Sequence, residues 1–203
     1  AEFCGRMYKV KPGVLIPRPE TAELAIAVSE EMKDKQQAAI LDICTGSGCI
    51  ATTIALECPK ADVEAWDISP TALEVAKENA AKLGAKVNVV YQDALNIPYN
   101  GERWTAIVSN PPYVLDSERK DMSPHVLNHE PSLALFVPDT DPLRFYTAIA
   151  RYAITALVNG GLLYFEINPL CAKMVEEMLT AAGFKDVAIV DDQYGKQRFV
   201  KAY

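Results

Sequence analysis

A doubly wound, mostly parallel α/β sheet is the fold class this sequence predicts, and three observations predict it. Short apolar runs alternate with segments of helical length and periodicity. The runs end in glycine or a polar residue, as strands do where they give way to loops. The last two runs are joined by Asp191-Asp192-Gln193-Tyr194-Gly195, too short for a crossover helix, so the last strand is antiparallel. Counting seven runs, the expected sheet has seven strands.

Taken in order, residues 1–14 are mixed and carry no helix start signal, and are expected to be a residual linker at a cut through a longer protein. Residues 15–203 are expected to form one domain. Leu15-Ile16-Pro17-Arg18-Pro19-Glu20-Thr21 is a stiff loop whose second proline opens a helix through Glu23, Leu24, Ile26, Ala27 and Met32. Residues 39–43 read as a buried parallel strand, turned by Thr45-Gly46-Ser47-Gly48 into a helix over 49–58. The second strand, 63–67, ends on Asp67, about 20 residues past the glycine turn, a spacing that lets a carboxylate accept from a ribose diol. Ser69-Pro70 caps a helix over 71–83 that Gly84 stops.

The third strand, 87–91, closes on Gln92-Asp93-Ala94, and the fourth, 104–109, on Asn110. Residues 114–142 are expected to be irregular. A helix through Phe145, Ile149, Tyr152 and Leu157 follows, then a fifth strand at 162–167, a helix over 170–182 ended by Gly183, and strands at 187–190 and 198–203. Gly46, Asp67, Asp93 and Asn110 thereby end four successive strands, where open α/β sheets bind ligands near their switch point.

Composition narrows the function. Half of the 203 residues are hydrophobic, but no run approaches the roughly 18 that cross a bilayer, and no signal peptide pattern is visible. A cytoplasmic protein without a membrane partner is expected. Cys4, Cys44, Cys49, Cys58 and Cys171 are odd in number and form no C-x-x-C pair, which favours reduced, packed thiols. His125 and His129 lack a third ligand, so no metal site is expected. A net charge of −7 opposes a broad phosphate-binding surface, and no direct nucleic-acid binding is expected.

Ser109-Asn110-Pro111-Pro112-Tyr113 carries the chemistry. Asn110 precedes a proline, so its backbone continues the strand and aims a side-chain carbonyl off the sheet edge. Pro111 and Pro112 stiffen the loop and present carbonyl acceptors without N–H donors. Two acceptors can hold an NH2 group by both hydrogens, and Tyr113 offers a flat ring for a planar amide or base. A proline-rich turn would use the same residues. Gly46-Ser47-Gly48-Cys49-Ile50-Ala51 fits G-x-G-x-x-G/A, which admits a dinucleotide. Asp93, suited to accept from an adenine amino group, and the clamp, which has no task in hydride transfer, favour S-adenosylmethionine.

These residues carry a resemblance. Asp42-Ile43-Cys44-Thr45-Gly46-Ser47-Gly48, Asp67, Asp93 and Asn110-Pro111-Pro112-Tyr113 resemble a class I, Rossmann-like S-adenosylmethionine-dependent methyltransferase acting on a planar nitrogen. With Phe3-Cys4-Gly5-Arg6, the Leu-Ile-Pro-Arg-Pro-Glu-Thr stretch and His129-Glu130-Pro131-Ser132-Leu133-Ala134-Leu135, nearly the whole chain resembles the HemK-like (PrmC-type) release factor glutamine methyltransferases. The resemblance implies N5-methylation of the glutamine in the Gly-Gly-Gln motif of class I peptide chain release factors, and an N-terminal helical domain that this chain lacks. It implies cofactor contacts from Asp42, Ile43, Cys44, Thr45, Gly46, Gly48, Asp67, Asp93, Ala94 and Asn110. Catalysis would fall to Asn110, Pro111 and Tyr113, and substrate binding to Phe3, Asn110, Pro111, Pro112 and Tyr113. Adenine-N6 methylation of nucleic acid, or a non-catalytic S-adenosylmethionine-binding domain, are the alternatives. Cys44 stands where the family usually has glycine, which calls for a negative φ there, and Asn168 replaces the glycine of the usual Glu-Ile-Gly.

Overall fold

The structure, a computed structural model, describes residues 1–99 and 101–203. The chain opens with a hairpin, β1 (Glu2–Phe3) and β2 (Arg6–Met7), and then α1 (Pro19–Met32). One winding follows: β3 (Ala39–Ile43), α2 (Cys49–Glu57), β4 (Asp62–Asp67), α3 (Pro70–Leu83) and β5 (Val87–Tyr91). The chain then returns through β6 (Trp104–Ser109), the short pieces β7 (Val114–Leu115), α4 (Pro124–His129), α5 (Ser132–Leu135) and β8 (Phe136–Val137), and then α6 (Arg144–Ala156) and β9 (Leu157–Glu166). It ends with α7 (Ala172–Ala182), β10 (Ala188–Asp191) and β11 (Gln197–Ala202).

Seven strands form the main sheet in the order β10-β11-β9-β6-β3-β4-β5, and β11 alone runs antiparallel to its neighbours. The order reverses at β3: the chain leaves it toward β5 and comes back to β6 on its other side. Ile43 stands level with both Trp66 and Ser109, so the carboxyl ends of the central strands share one edge.

Period-two alternation explains why the strands read as unbroken apolar runs. Ile40, Val63, Ala65, Ala106, Val108, Leu162 and Tyr164 pack on one face against α1 and α2. Leu41, Ile43, Ile107, Leu163 and Phe165 pack on the other against α6 and α7. Turn chemistry sets the boundaries: Ser69 Oγ accepts from the Ala72 amide to start α3, and Gly84 and Gly183 stop α3 and α7 in the left-handed region.

Three regions differ from the sequence reading. Residues 114–142 are a string of short elements, joined by Ser117 donating to Asp139 and by the Arg119 guanidinium 3.5 Å over the Phe136 ring. Pieces this short lack a readable period and depend on tertiary contacts. The sixth helix stops at Ala156, and Leu157 already belongs to β9, because its extended backbone pairs with Trp104 before the register slips. Residues 1–14 carry the hairpin, whose Phe3 packs edge-on against Tyr8 with ring centroids 5.9 Å apart. Among the described residues no helix is long and apolar enough to cross a membrane.

Gly48 joins the glycine loop to the packing of the helices. It precedes α2 at φ +76°, and a Cβ there would lie 2.9 Å from Ala76 Cβ on α3. Gly48→Ala adds a left-handed backbone penalty to an overpacked contact, and should destabilise the fold by about 2–4 kcal/mol. Chemical denaturation checks this; an unchanged midpoint would show that α3 gives way freely.

Candidate functional site

A cavity of 270 Å³ opens at the carboxyl edge of the sheet, beside the β3/β6 switch point. Its floor is the turn after β3, with Cys44, Thr45 and Gly46; one side is Asp67 to Ser69 and the other Gln92 to Leu95. Leu15 to Arg18 and Pro131 to Ala134 cover it, and Asn110 and Pro112 close its inner end. A second cavity of 40 Å³ is lined by Leu15, Arg18, Asn110, Pro111, Tyr113 and Glu166 among others. Asn110 belongs to both.

Two carboxylates shape the floor. Asp67 ends β4 and accepts from the Gly46 amide at 2.8 Å and from the Ser69 amide at 2.9 Å. Those contacts fix the carboxylate on the cavity wall. Asp42 lies beneath, fully buried; its Oδ2 accepts from Thr45 Oγ1 at 2.6 Å and from the Ala51 amide at 3.2 Å, while Oδ1 has no partner. Burial raises Asp42 to about 7, against the hydrogen bonds from Thr45 and Ala51. Burial also pushes Asp67 up, and Cys44 well up, so that thiol stays neutral.

Asp93 is organised locally: Oδ1 accepts from the Leu95 amide at 2.8 Å and Oδ2 from Asn96 Nδ2 at 2.6 Å. The cover is held by Glu130, whose buried carboxylate accepts from Arg18 Nη2 at 2.6 Å and from the Ile16 amide at 3.3 Å. Pro19 makes this contact possible, since the residue before a proline stays extended and Arg18 has φ −98° and ψ 143°.

The sequence-derived site residues divide by position. Cys44, Thr45, Gly46, Asp67, Asp93, Ala94, Asn110 and Pro112 line the larger cavity, and Pro111 and Tyr113 join Asn110 at the smaller one. Asp42, Ile43 and Gly48 stand behind the wall and support it. Phe3 lines neither cavity; alternation in its two-residue strand turns it into the core beside Tyr8. The expectation of a negative φ at Cys44 is corrected: the residue sits at φ +62°, held by its neighbour Thr45 donating to the Trp66 carbonyl at 2.9 Å. Such a conformation costs a non-glycine residue about 1–2 kcal/mol.

Glu166 falls in the Glu-Ile-Asn stretch that the resemblance covers, but no sequence pattern assigns it a role at the site. Buried at the end of β9, it accepts from Thr21 Oγ1 at 2.6 Å and from the Tyr113 hydroxyl at 3.0 Å. Its two partners lie 145 and 53 residues away, beyond the reach of any local pattern.

Residues 24–131 match the methyltransferase small domain family. The release factor glutamine methyltransferase of Bacteroides thetaiotaomicron is 47% identical over 203 residues, covering 100% of this chain and 72% of that relative. The chain belongs to the release factor glutamine methyltransferase family. A second relative of that name, from Flavobacterium psychrophilum, is 40% identical over 98% of this chain and 71% of its own length. Solved structures share the fold at lower identity. A methyltransferase from Pyrococcus furiosus superposes with a TM-score of 0.68 at 16% identity, covering 96% of this chain and 87% of that one. A ribosomal protein L11 methylase from Lactobacillus delbrueckii subsp. bulgaricus gives 0.61 at 21%, covering 94% and 80%.

The raised Asp42 has a measurable consequence. An unfolded aspartate ionises near 3.8, so between about 4 and 7 the folded chain binds more protons than the unfolded one, and stability falls as pH rises through that window. Asp42→Asn should lose less stability than wild type from pH 5 to pH 7, by roughly 2 kcal/mol. Denaturation series at both pH values check it, and parallel pH profiles would refute a buried, proton-binding Asp42.

Proposed function

We propose that this chain transfers a methyl group from S-adenosylmethionine to the side-chain amide nitrogen of the glutamine in the Gly-Gly-Gln motif of class I peptide chain release factors. One observation carries the reading: Asn110 stands between a large cavity with cofactor-type acceptors and a small one walled by Pro111 and Tyr113. The relatives' names favour glutamine over adenine, although Asn-Pro-Pro-Tyr serves either nitrogen.

The residues fit S-adenosylmethionine. Asp67 offers a fixed carboxylate for a ribose diol, and Asp93 with the Ala94 backbone suits an adenine edge. Gly46 lines the cavity at φ +55° with open space where a Cβ would stand, so a ligand can come close to its backbone. When bound, S-adenosylmethionine supplies an electrophilic sulfonium methyl.

The protein's task is set by the substrate. An amide nitrogen is a poor nucleophile because its lone pair is delocalised into the carbonyl. Asn110 Oδ1 and the Pro111 carbonyl accept its two N–H bonds, orient it and stabilise the positive charge that develops on it. Orientation can supply about 7–11 kcal/mol in favourable cases, so positioning carries much of the acceleration. Once methylated, the nitrogen sheds one N–H proton; among the described residues no His, Lys or Cys lines the smaller cavity to take it during transfer, so it leaves to water afterwards. Tyr113 is held neutral by burial beside the Glu166 charge, which keeps its hydroxyl a donor.

The test is transfer of labelled methyl to a purified release factor, with a Gln→Ala variant of the Gly-Gly-Gln motif and duplex DNA as controls. Label on the intact factor alone is expected; label on DNA alone would move the assignment to adenine. Asn110→Ala should reduce kcat by about 10²–10³, a larger loss than that of cofactor affinity. Equal loss of both would undo the role given to Asn110.

A further inference from the structure

The Glu166–Thr21–Asn110 chain of hydrogen bonds has a defined polarity. Thr21 has one hydroxyl proton, and the Glu166 carboxylate 2.6 Å away can only accept, so that proton points at Glu166. The Thr21 oxygen is left as an acceptor. Asn110 must therefore present its amide nitrogen to Thr21, and Nδ2 does donate to Thr21 Oγ1 at 3.1 Å. Among the described residues nothing donates to Asn110 Oδ1. The other oxygen of Glu166 is taken by the Tyr113 hydroxyl, so one buried carboxylate anchors both ends of the clamp.

An asparagine amide without such a partner can rotate by half a turn and present a donor instead. It would then face the incoming N–H groups with N–H groups, and the clamp would repel the nitrogen it must hold. We propose that Glu166, acting through Thr21, is a positioning residue for methyl transfer: it selects the rotamer in which Asn110 Oδ1 faces the substrate nitrogen. This deepens the function proposed above and rests on reading Asn110 as the amide acceptor. Thr21 lies on the first turn of α1, directly after the Arg18-Pro19 loop, so the same stretch that covers the cofactor cavity also orients the clamp.

Thr21→Val keeps the shape and removes both halves of the relay, whereas Thr21→Ser keeps the hydroxyl. With the labelled release factor as substrate, Thr21→Val should lower kcat about tenfold to a hundredfold, less than Asn110→Ala and more than it weakens S-adenosylmethionine binding. Thr21→Ser should restore most of the rate. The second readout is NMR exchange of the Asn110 side-chain amide protons: slow in wild type and Thr21→Ser, fast in Thr21→Val. Unchanged turnover in Thr21→Val, equal loss of turnover and cofactor binding, or no rescue by serine would each overturn the positioning role. If the wild-type chain labels no release factor, the proposed function fails, and slow exchange lost on Thr21→Val still decides whether the relay exists.

Discussion

Glu166 has almost no contact with solvent, and a carboxylate in that position costs least when hydrogen bonds are accepted by both oxygens. Thr21 and Tyr113 claim them, and in doing so tie α1 and the loop after β6 to the end of β9. Burial raises Glu166 above the usual carboxylate range, opposed by the hydrogen bonds it accepts from Thr21 and Tyr113. The arrangement joins three parts of the chain that meet only when the centre of the sheet is assembled. What reads in the sequence as a four-residue clamp is thus the cavity-side end of a network rooted in the core.

The same logic holds across the cavity. Asp67 is fixed by two backbone amides and Glu130 by a guanidinium and an amide, so each acidic group that shapes the wall has its charge met before a ligand arrives. Asp42 is the exception, with one oxygen unpartnered in the interior under the glycine turn. The loop above it is also where Cys44 takes a left-handed conformation that glycine would accept without strain. Burial cost and backbone strain are concentrated beneath the floor of the cavity, as expected where a functional loop is held by the surrounding fold.

Much of this was legible in the sequence because the signals were local. Apolar runs with fixed length gave β5 and β6 to the residue, and Ser69, Gly84 and Gly183 mark helix ends by hydrogen-bonding and φ requirements that belong to those residue types. The clamp and Asp67 were legible because they end strands. Non-local features were not. The pieces between Val114 and Val137 are set by contacts such as Asn168 donating to the Tyr113 carbonyl and to Glu118, 55 and 50 residues away. Phe3 enters only through the resemblance, since a short mixed segment shows no alternation from which its burial can be read.

The Arg18–Glu130 contact joins residues 112 apart in the chain, and the walls it holds together are drawn from residues 13 to 145. No single loop or supersecondary unit contains the cavity: its lining comes from segments spread from Gly13 to Phe145, brought together around β3 and β6. Ligand binding is therefore linked to assembly of the sheet and the segments that cover its edge rather than to the ordering of one loop. A bound cofactor would slow global opening, and the backbone amides farthest from it, in β10 and β11, would gain protection against hydrogen exchange together with those at the cavity wall.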